Sequence, residues 1–277
     1  MIGDIDSELE FTGERMVPGK TAPRTFWDHM YRYRFACGFV KDRTVIDVAC
    51  GEGYGAYAIS VAGASKVIGI DVDQPTCEFA RRKYGIETMC RNAVDTGLPS
   101  ASVDVVVSYE TIEHIEEVDA FVQESARILK PGGTFIVSTP NREVYSEHGH
   151  HNDFHCSEMN RAEFQTVLAR CFNVIRMYSQ GLKSAPWWHH GSLSAIESPW
   201  LHMKGFWRFR SMFLPHHNGD ISQAIPPTSQ QCDDIASTIL EQDSLMARFM
   251  NPFEVRRMSD SAIDQPRFLI AVCRMPG

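Results

Sequence analysis

Three closely spaced residues, Glu110, Glu113 and His114, are the group best suited to chemistry in this chain of 277 residues. They follow an apolar segment, and the i, i+3, i+4 spacing would put all three side chains on one face of a helical turn. Two carboxylates and an imidazole that converge in this way suit a divalent cation such as Mg²⁺ or Mn²⁺. The spacing therefore predicts a metal site at the end of a strand.

A glycine-rich loop forms the second candidate site. Gly51, Gly53 and Gly55 follow one apolar strand, and Asp71 stands at the end of the next. Glycines let the backbone approach a ligand where a Cβ atom would clash. An acid about twenty residues after such a loop can accept hydrogen bonds from both ribose hydroxyls of an adenosine. This strand–loop–helix–strand unit therefore predicts a site for a nucleoside-containing cofactor.

Alternating strands and helices must position both groups. Their apolar runs are mostly continuous, as expected for strands that are covered on both faces of a parallel sheet. Strands are predicted at 45–49, 67–70, 87–91, 103–108, 134–139, 173–178 and 268–273, and helices at 25–40, 119–129 and 161–170. The segment Lys130–Gly133 is predicted to end the second of these helices. The alternation indicates an α/β fold, with a mostly parallel Rossmann-like sheet and helices on both faces.

The chain divides into four predicted regions. Residues 1–43 form an N-terminal arm and helix, 44–180 the cofactor-binding core, 181–265 an insertion, and 266–277 the final core strand. The insertion breaks the alternation and is rich in Trp and His. Functional loops cluster at one edge of such sheets, so we expect a lid or substrate wall there. The same segment is also a candidate surface for homodimer formation.

Composition narrows the class of protein. A net charge of −8 argues against sequence-independent nucleic-acid binding, which needs a basic surface. The N-terminus is acidic, unlike a signal peptide, and no apolar run is long enough to span a membrane. The eight cysteines are scattered without zinc-finger spacing. These features predict a reduced, cytoplasmic protein.

Three further features indicate which cofactor binds. Asp47 lies inside the first strand, Asn92 and Ala93 follow the third strand, and a Leu-Lys-Pro-Gly-Gly run from Leu129 precedes the fifth. Together with the glycine loop, they resemble the class I S-adenosylmethionine-dependent methyltransferases over roughly residues 44–139 and the last strand. An NAD-dependent enzyme also fits the glycine loop, but the last two features argue against it.

The resemblance implies a seven-stranded sheet whose last strand is antiparallel to the others. It implies that the three loop glycines pass the methionyl part of the cofactor and that Asp71 holds the ribose. The remaining residues that the resemblance assigns to cofactor binding are Asp47, Val72, Asn92, Ala93 and Tyr109. Family members often carry Asp where Asn92 stands, and an Asn side-chain oxygen can still accept from the adenine amine.

The Glu-x-x-Glu-His pattern resembles that of metal-dependent O-methyltransferases, including ubiquinone-biosynthesis enzymes and small-RNA 2′-O-methyltransferases. In the RNA enzymes a further His ligand lies three residues before a Glu that precedes a helix. His155 and Glu158 have that arrangement, so the resemblance implies His155 as a fourth ligand. Without a metal, the candidate general bases are His114, His151 and His155.

The N-terminal segment Phe11–Gly19 resembles one that precedes the methyltransferase domain in enzymes acting on sugars. Trp and Tyr faces stack well against sugar rings, and the insertion supplies such side chains. We therefore expect O-methylation of a sugar, a glycan or a glycosylated natural product. The alternatives are metal-independent N- or C-methylation of a small metabolite with a His base, a small-RNA 2′-O-methyltransferase, and a cofactor-binding protein without activity.

Overall fold

A mixed β-sheet forms the centre of the chain. The computed structural model describes residues 16, 23–145, 152, 154–182, 255–258 and 266–277. Its strands are β1 Thr44–Val48, β2 Lys66–Asp71, β3 Glu87–Cys90, β4 Val103–Ser108, β5 Leu129–Pro140, β6 Val174–Leu182, β7 Arg256–Arg257 and β8 Pro266–Arg274. They are arranged in the order β3-β2-β1-β4-β5-β8-β6-β7. Strands β1 to β5 pair in parallel, whereas β8 is antiparallel to both of its neighbours, β5 and β6.

This topology confirms the predicted Rossmann-like sheet and its antiparallel last strand. The two-residue strand β7 adds an eighth strand at the edge, beside β6. It was not predicted, because two residues are too few to show a strand periodicity. The seven longer strands all correspond to predicted ones.

In the part of the chain that the structure describes, six α-helices connect or flank the strands. They are α1 Pro23–Cys37, α2 Tyr54–Val61, α3 Gln74–Tyr84, α4 Val118–Ile128, α5 Arg142–Tyr145 and α6 Arg161–Leu168, with a 3₁₀ helix at Ile112–His114. Local sequence signals set several ends. Asp73 caps α3 by accepting from the backbone N–H of Thr76, and Gly85 ends that helix at φ 66°. Asn160 and Glu163 form a capping box at the start of α6.

The predicted turn between α4 and the fifth strand is different in the structure. Helix α4 ends at Ile128, and β5 already begins at Leu129. The Lys-Pro-Gly-Gly segment is therefore part of β5, where the pairing with β4 shifts register between Val103 and Val105. Gly133 permits this irregular start, because a Cβ atom there would lie 2.8 Å from the carbonyl oxygen of Lys130.

The two faces of the sheet bury different side chains. Ile46 and Val48 of β1 pack with Phe121, Phe135 and other apolar residues of one face. Val45 packs in the other cluster, with residues of α1 and α2. This alternation follows from the two-residue period of a strand. The second cluster contains three tyrosines that line the candidate site, Tyr33, Tyr54 and Tyr109.

Most of the predicted insertion at 181–265 lies outside the described residues, as does the N-terminal segment Phe11–Gly19 except Met16. The insertion connects β6 to β8, two strands that are hydrogen-bonded neighbours. Within the described ranges, no helix combines the length and apolar character needed to cross a bilayer.

Candidate functional site

A cavity of about 300 Å³ opens beside the carboxyl ends of β1 and β4. It is lined by residues of α1, the glycine loop, the segment after β4, and the start of β8. Parallel sheets bind ligands at the carboxyl ends of their strands, and the lower limit for small-molecule sites is about 300 Å³. The cavity therefore brings the two candidate sites of the sequence to one place.

The three loop glycines have different surroundings. Gly51 has φ 53°, lines the cavity, and would direct a Cβ atom into open space. A Cβ atom at Gly53 would lie 2.6 Å from the Cβ of Ala80, and one at Gly55 would lie 2.0 Å from the ring of Tyr33. Gly53 and Gly55 are thus required by packing within the protein, and Gly51 is the glycine whose backbone faces the cavity.

Asp71 holds the glycine loop in place. Its Oδ2 accepts from the backbone N–H of Gly51 at 2.9 Å, and its Oδ1 accepts from that of Asp73 at 3.0 Å. A carboxylate can accept several hydrogen bonds, and the resemblance assigns ribose binding to this residue. The adjacent Val72 is 73% exposed, an unusual environment for a Val side chain and a suitable apolar surface for an adenine ring.

Asn92 and Ala93 follow β3 as predicted, at the exposed end of the strand. The Asn92 Oδ1 accepts from the backbone N–H of Val94 at 3.1 Å, which closes a local turn. The loop is held further on by Thr96, whose backbone N–H and hydroxyl both donate to Glu124. Asn92 is therefore fixed in place before any ligand binds.

Asp47 is buried beneath the cavity. The hydroxyl of Tyr33 lies 3.2 Å from both of its carboxylate oxygens and donates to them. Burial raises the pKa of Asp47 to about 8, and the charge of Asp71 contributes in the same direction. No local sequence pattern indicates a contact between Tyr33 and Asp47, because it forms only when α1 packs on the sheet.

Tyr109, at the end of β4, is buried and lines the cavity. Its hydroxyl donates to the backbone carbonyl of Arg32 at 2.9 Å, and its ring meets that of Tyr33 edge to face at 5.2 Å. Tyr33 meets Tyr54 in the same way at 5.6 Å. The three tyrosines attach α1 to the sheet at the cavity.

Glu113, His114 and His155 come together as a group whose ligand atoms lie within 4.8 Å of one another. Residues 156 and 157 are brought to the 3₁₀ helix by the Glu113 carbonyl, which accepts from the backbone N–H groups of Cys156 and Ser157 at 2.9 Å each. The rings of His114 and His155 meet edge to face at 4.9 Å. The pairing of His155 with the Glu-His dipeptide therefore depends on backbone hydrogen bonds across about forty residues of sequence.

Both imidazoles are oriented by hydrogen bonds through Nδ1. That of His114 lies 3.0 Å from the carbonyl oxygen of Phe154, which can only accept. That of His155 lies 2.6 Å from Oε1 of Glu158. Donation from Nδ1 leaves the lone pair of each neutral ring at Nε2, the arrangement that histidine metal ligands commonly have.

Glu113 is fully buried, and neither of its carboxylate oxygens has a hydrogen-bond partner among the described residues. Burial raises its pKa well above the usual range, and the nearby charge of Glu110 raises it further, while smaller effects of Arg32 and the nearby Thr139 hydroxyl lower it. A buried carboxylate without a partner is costly, so the site favours a proton or a cation at Glu113.

Glu110 differs from its predicted place on a shared helical face. It precedes the 3₁₀ helix in a left-handed conformation, with φ 51°. Its backbone N–H donates to Oγ of Ser138 at 3.1 Å, and that hydroxyl donates back to Oε1 of Glu110 at 2.7 Å. Glu110 lines the cavity but is not part of the group formed by the other three residues. His151, the remaining candidate base, lies outside the described residues.

Comparison with known proteins agrees with this geometry. The sequence profile of a family described as "Methyltransferase domain" matches residues 46–137. The chain is 40% identical over 176 residues to a Mycolicibacterium smegmatis protein named a probable S-adenosylmethionine-dependent methyltransferase, which covers 60% of this chain and 68% of that protein. It is 33% identical over 123 residues to a ubiquinone biosynthesis O-methyltransferase of Idiomarina loihiensis, covering 39% of this chain and 50% of that one.

Among solved structures, a Thermotoga maritima S-adenosylmethionine-dependent methyltransferase is similar with a TM-score of 0.55 at 14% identity, over 91% of this chain and 93% of that one. At this identity the similarity shows the fold, while the Mycolicibacterium relative shows the family. The chain therefore belongs to the class I S-adenosylmethionine-dependent methyltransferases.

Proposed function

We propose that this enzyme methylates a hydroxyl oxygen of a sugar, a glycan or a glycosylated natural product, with a divalent cation at Glu113, His114 and His155. The main support is the state of Glu113, a buried carboxylate without a hydrogen-bond partner beside two oriented imidazoles. Removing one partner from a buried ion pair costs about 3–5 kcal/mol, so a cation that completes this group would stabilise it considerably.

S-adenosylmethionine supplies the methyl group, which its sulfonium already activates for transfer. The residues present fit this cofactor. Asp71 is the carboxylate that the resemblance assigns to the ribose and it lies at the glycine loop, Val72 exposes an apolar surface, and Gly51 presents backbone to the cavity. Asn92 and Ala93 would contact the adenine edge. The protein's remaining tasks are to align the acceptor oxygen with the methyl group and to remove its proton.

The acceptor would lie against the segment after β4. A divalent cation held there supplies Lewis acidity, which lowers the pKa of an acceptor hydroxyl. Glu113, His114 and His155 would hold the ion through a carboxylate oxygen and two Nε2 atoms. Glu110, which Ser138 holds in the cavity wall, is free of that role and would orient the acceptor.

Methylation at oxygen is also supported by the O-methyltransferase from Idiomarina loihiensis. A sugar-like acceptor is supported by the N-terminal segment Phe11–Gly19 and by the tryptophans Trp187, Trp188, Trp200 and Trp207 of the insertion. The aromatic side chains would form the acceptor pocket and exclude water from it. The proposed class of acceptor is thus supported mainly by sequence features, whereas the proposed class of reaction is supported mainly by Glu113, His114 and His155.

A second candidate function is metal-independent N- or C-methylation of a small metabolite. The observation that favours it is the hydrogen bond between Nδ1 of His155 and Glu158, which is 2.6 Å long. A histidine oriented by a carboxylate is a common arrangement for a general base. Under this alternative His155 removes the acceptor proton, and Glu113 is protonated rather than bound to a cation.

Isothermal titration distinguishes the two functions. S-adenosylhomocysteine is titrated into the protein after EDTA treatment and again with Mg²⁺ or Mn²⁺, followed by a vicinal diol or catechol as test acceptor. We expect cofactor binding in every case and acceptor binding only with the metal. The variant E113Q should lose metal-dependent acceptor binding and at least about tenfold in activity, because it removes the ligand charge.

The matched control is E116Q, which removes an exposed carboxylate three residues away. It should behave like the wild type. Acceptor binding that is unchanged by EDTA would favour the His155 base. Failure of E113Q to bind S-adenosylhomocysteine would instead assign Glu113 to the cofactor site, and failure of the wild type to bind it would contradict the use of this cofactor here.

A further inference from the structure

We propose that Arg32 binds a carboxylate group in the cavity through its Nε and Nη2 atoms. The inference builds on the proposed function, since the carboxylate belongs to a ligand of the same cavity. Arg32 lies in the middle of α1 and is one of the residues that line the cavity. Its sequence context does not mark it as a site residue, because an Arg in an aromatic helix is ordinarily a surface residue.

The side chain of Arg32 is held rigidly. It is fully buried, and its Nη1 donates to Oε1 of Gln180 at 2.7 Å. Gln180 is itself fixed, because its Nε2 donates to the backbone carbonyl of Asp28 at 3.0 Å. On one side the guanidinium lies over the ring of Phe268, 4.6 Å from its centre. The position of the charged group is therefore set before a ligand arrives.

The protein uses only part of this guanidinium. Nε and Nη2 are buried and have no hydrogen-bond partner among the described residues. These two atoms form one edge of the planar group, and their N–H bonds run parallel. That edge matches the two oxygens of a carboxylate, which bind it in a bidentate manner. The unsatisfied edge thus has the shape of a carboxylate site rather than of a general cationic site.

The acidic residues of the cavity do not fill the site. Asp28, Glu110 and Glu113 all line the same cavity, yet none of them is hydrogen-bonded to Nε or Nη2 of Arg32. The charge of Arg32 lowers the pKa of Glu113, but this effect is smaller than the effect of burial. The cavity therefore contains a buried cation and a buried carboxylate that do not neutralise each other directly.

A ligand that places a carboxylate on Arg32 would satisfy the two open donors and leave Glu113 to the cation or acceptor hydroxyl. Two molecules of the reaction can supply the group, the methionyl part of the cofactor and an acidic acceptor such as a uronic acid. The carboxylate of either molecule would make the same planar, bidentate contact with Arg32. The test therefore compares ligands that differ only in the carboxylate-bearing part.

The variant R32K keeps the positive charge but removes the bidentate edge. Its affinity is measured for two pairs of probes. The first pair is S-adenosylhomocysteine and 5′-methylthioadenosine, which lacks the amino-acid part. The second, with S-adenosylhomocysteine and Mg²⁺ present, is 3,4-dihydroxybenzoate and catechol. R32M is tested in parallel, because Met keeps an unbranched chain over Phe268. R34K, in the same helix, is the control. Thermal unfolding checks that R32K and R32M are folded.

We expect R32K to weaken one carboxylate-bearing probe by about ten- to hundredfold while its carboxylate-free counterpart is unaffected. Selective loss of S-adenosylhomocysteine assigns the carboxylate to the cofactor, and selective loss of the benzoate assigns it to the acceptor. Folded Arg32 variants that bind all four probes as the wild type does would overturn the proposal. Equal losses of affinity for the two probes of each pair would also overturn the proposal. Neither result depends on the response to EDTA, which tests the proposed function separately.

Discussion

The cofactor end and the acceptor end of this molecule differ in how the chain satisfies its own polar groups. At the cofactor end, Asp71 accepts from two backbone N–H groups, Asp47 accepts from Tyr33, and Asn92 accepts from Val94. At the proposed acceptor end, both oxygens of Glu113 have no partner among the described residues, and in the same cavity two nitrogens of Arg32 have none.

This difference separates a preorganised scaffold from a site that needs its ligands. Hydrogen bonds within the scaffold hold the glycine loop and the loop after β3 in position, so cofactor binding requires little rearrangement. Buried groups without partners cost stability, and proteins retain such groups mainly where a ligand or a reaction uses them. The two ends should therefore respond differently to substitution: changes at the cofactor end should affect folding first, and changes at the acceptor end should affect activity first.

The largest effect is expected from G55A. A Cβ atom at this position would lie 2.0 to 2.4 Å from three atoms of the Tyr33 ring, and Tyr33 also supports Asp47. We expect a loss of roughly 3 kcal/mol in the free energy of unfolding, because overpacking forces the ring or the backbone to move. Urea unfolding measures it. G38A is the control, since its Cβ would meet one atom at 3.4 Å. Equal stability of the two variants would contradict the tight packing of α1 on the loop.

An intermediate effect is expected from pH. Burial raises the pKa of Asp47 to about 8 and that of Glu113 well above its usual range. The folded protein therefore keeps protons that the unfolded chain releases near pH 4. Stability from these groups is complete below that pH and is lost as the pH rises through the folded values. For the metal-free protein we expect the free energy of unfolding to fall between about pH 6.5 and 8, by at most about 1.4 kcal/mol per pH unit for each group. Below this range His29 opposes the fall, because burial lowers its pKa.

Urea unfolding across this pH range measures the slope. E113Q should reduce the slope, because an amide does not titrate, and E116Q should leave it unchanged. Saturating Mg²⁺ should also reduce it in the wild type if the cation replaces the proton at Glu113. A free energy of unfolding that does not fall over this range would contradict the raised pKa values of both carboxylates.

The smallest effect is expected from S138A. This substitution removes the hydroxyl that both accepts from the Glu110 backbone and donates to its side chain. We expect about 1 kcal/mol less stability and roughly a fivefold lower kcat/KM, because Glu110 loses its fixed orientation in the cavity wall. S102A, which removes an exposed serine hydroxyl bonded to the backbone of Pro99, is the control for loss of a single hydroxyl. Unchanged kinetics in S138A would show that Glu110 needs no such support.

Much of the fold was predictable because its signals are local. Continuous apolar runs marked the seven longer strands, and the glycine loop with Asp71 marked the cofactor end. The errors occurred where pairing between distant segments overrides local patterns. The Lys-Pro-Gly-Gly segment lies within β5 because the residues on either side of it, Leu129 and Thr134, both pair with β4. Glu110 lies outside the 3₁₀ helix, where its backbone N–H donates to Ser138.

The sequence by itself determined the class of fold, the cofactor end and the chemical types available at the acceptor end, because these depend on periodicity, spacing and residue identity. Only the tertiary structure decided which side chains meet. It brought His155 to Glu113, paired Tyr33 with Asp47, and buried Arg32 with one edge of its guanidinium unpaired. Burial and the presence or absence of a partner are properties of packing between distant segments, so no local pattern in the chain could show them.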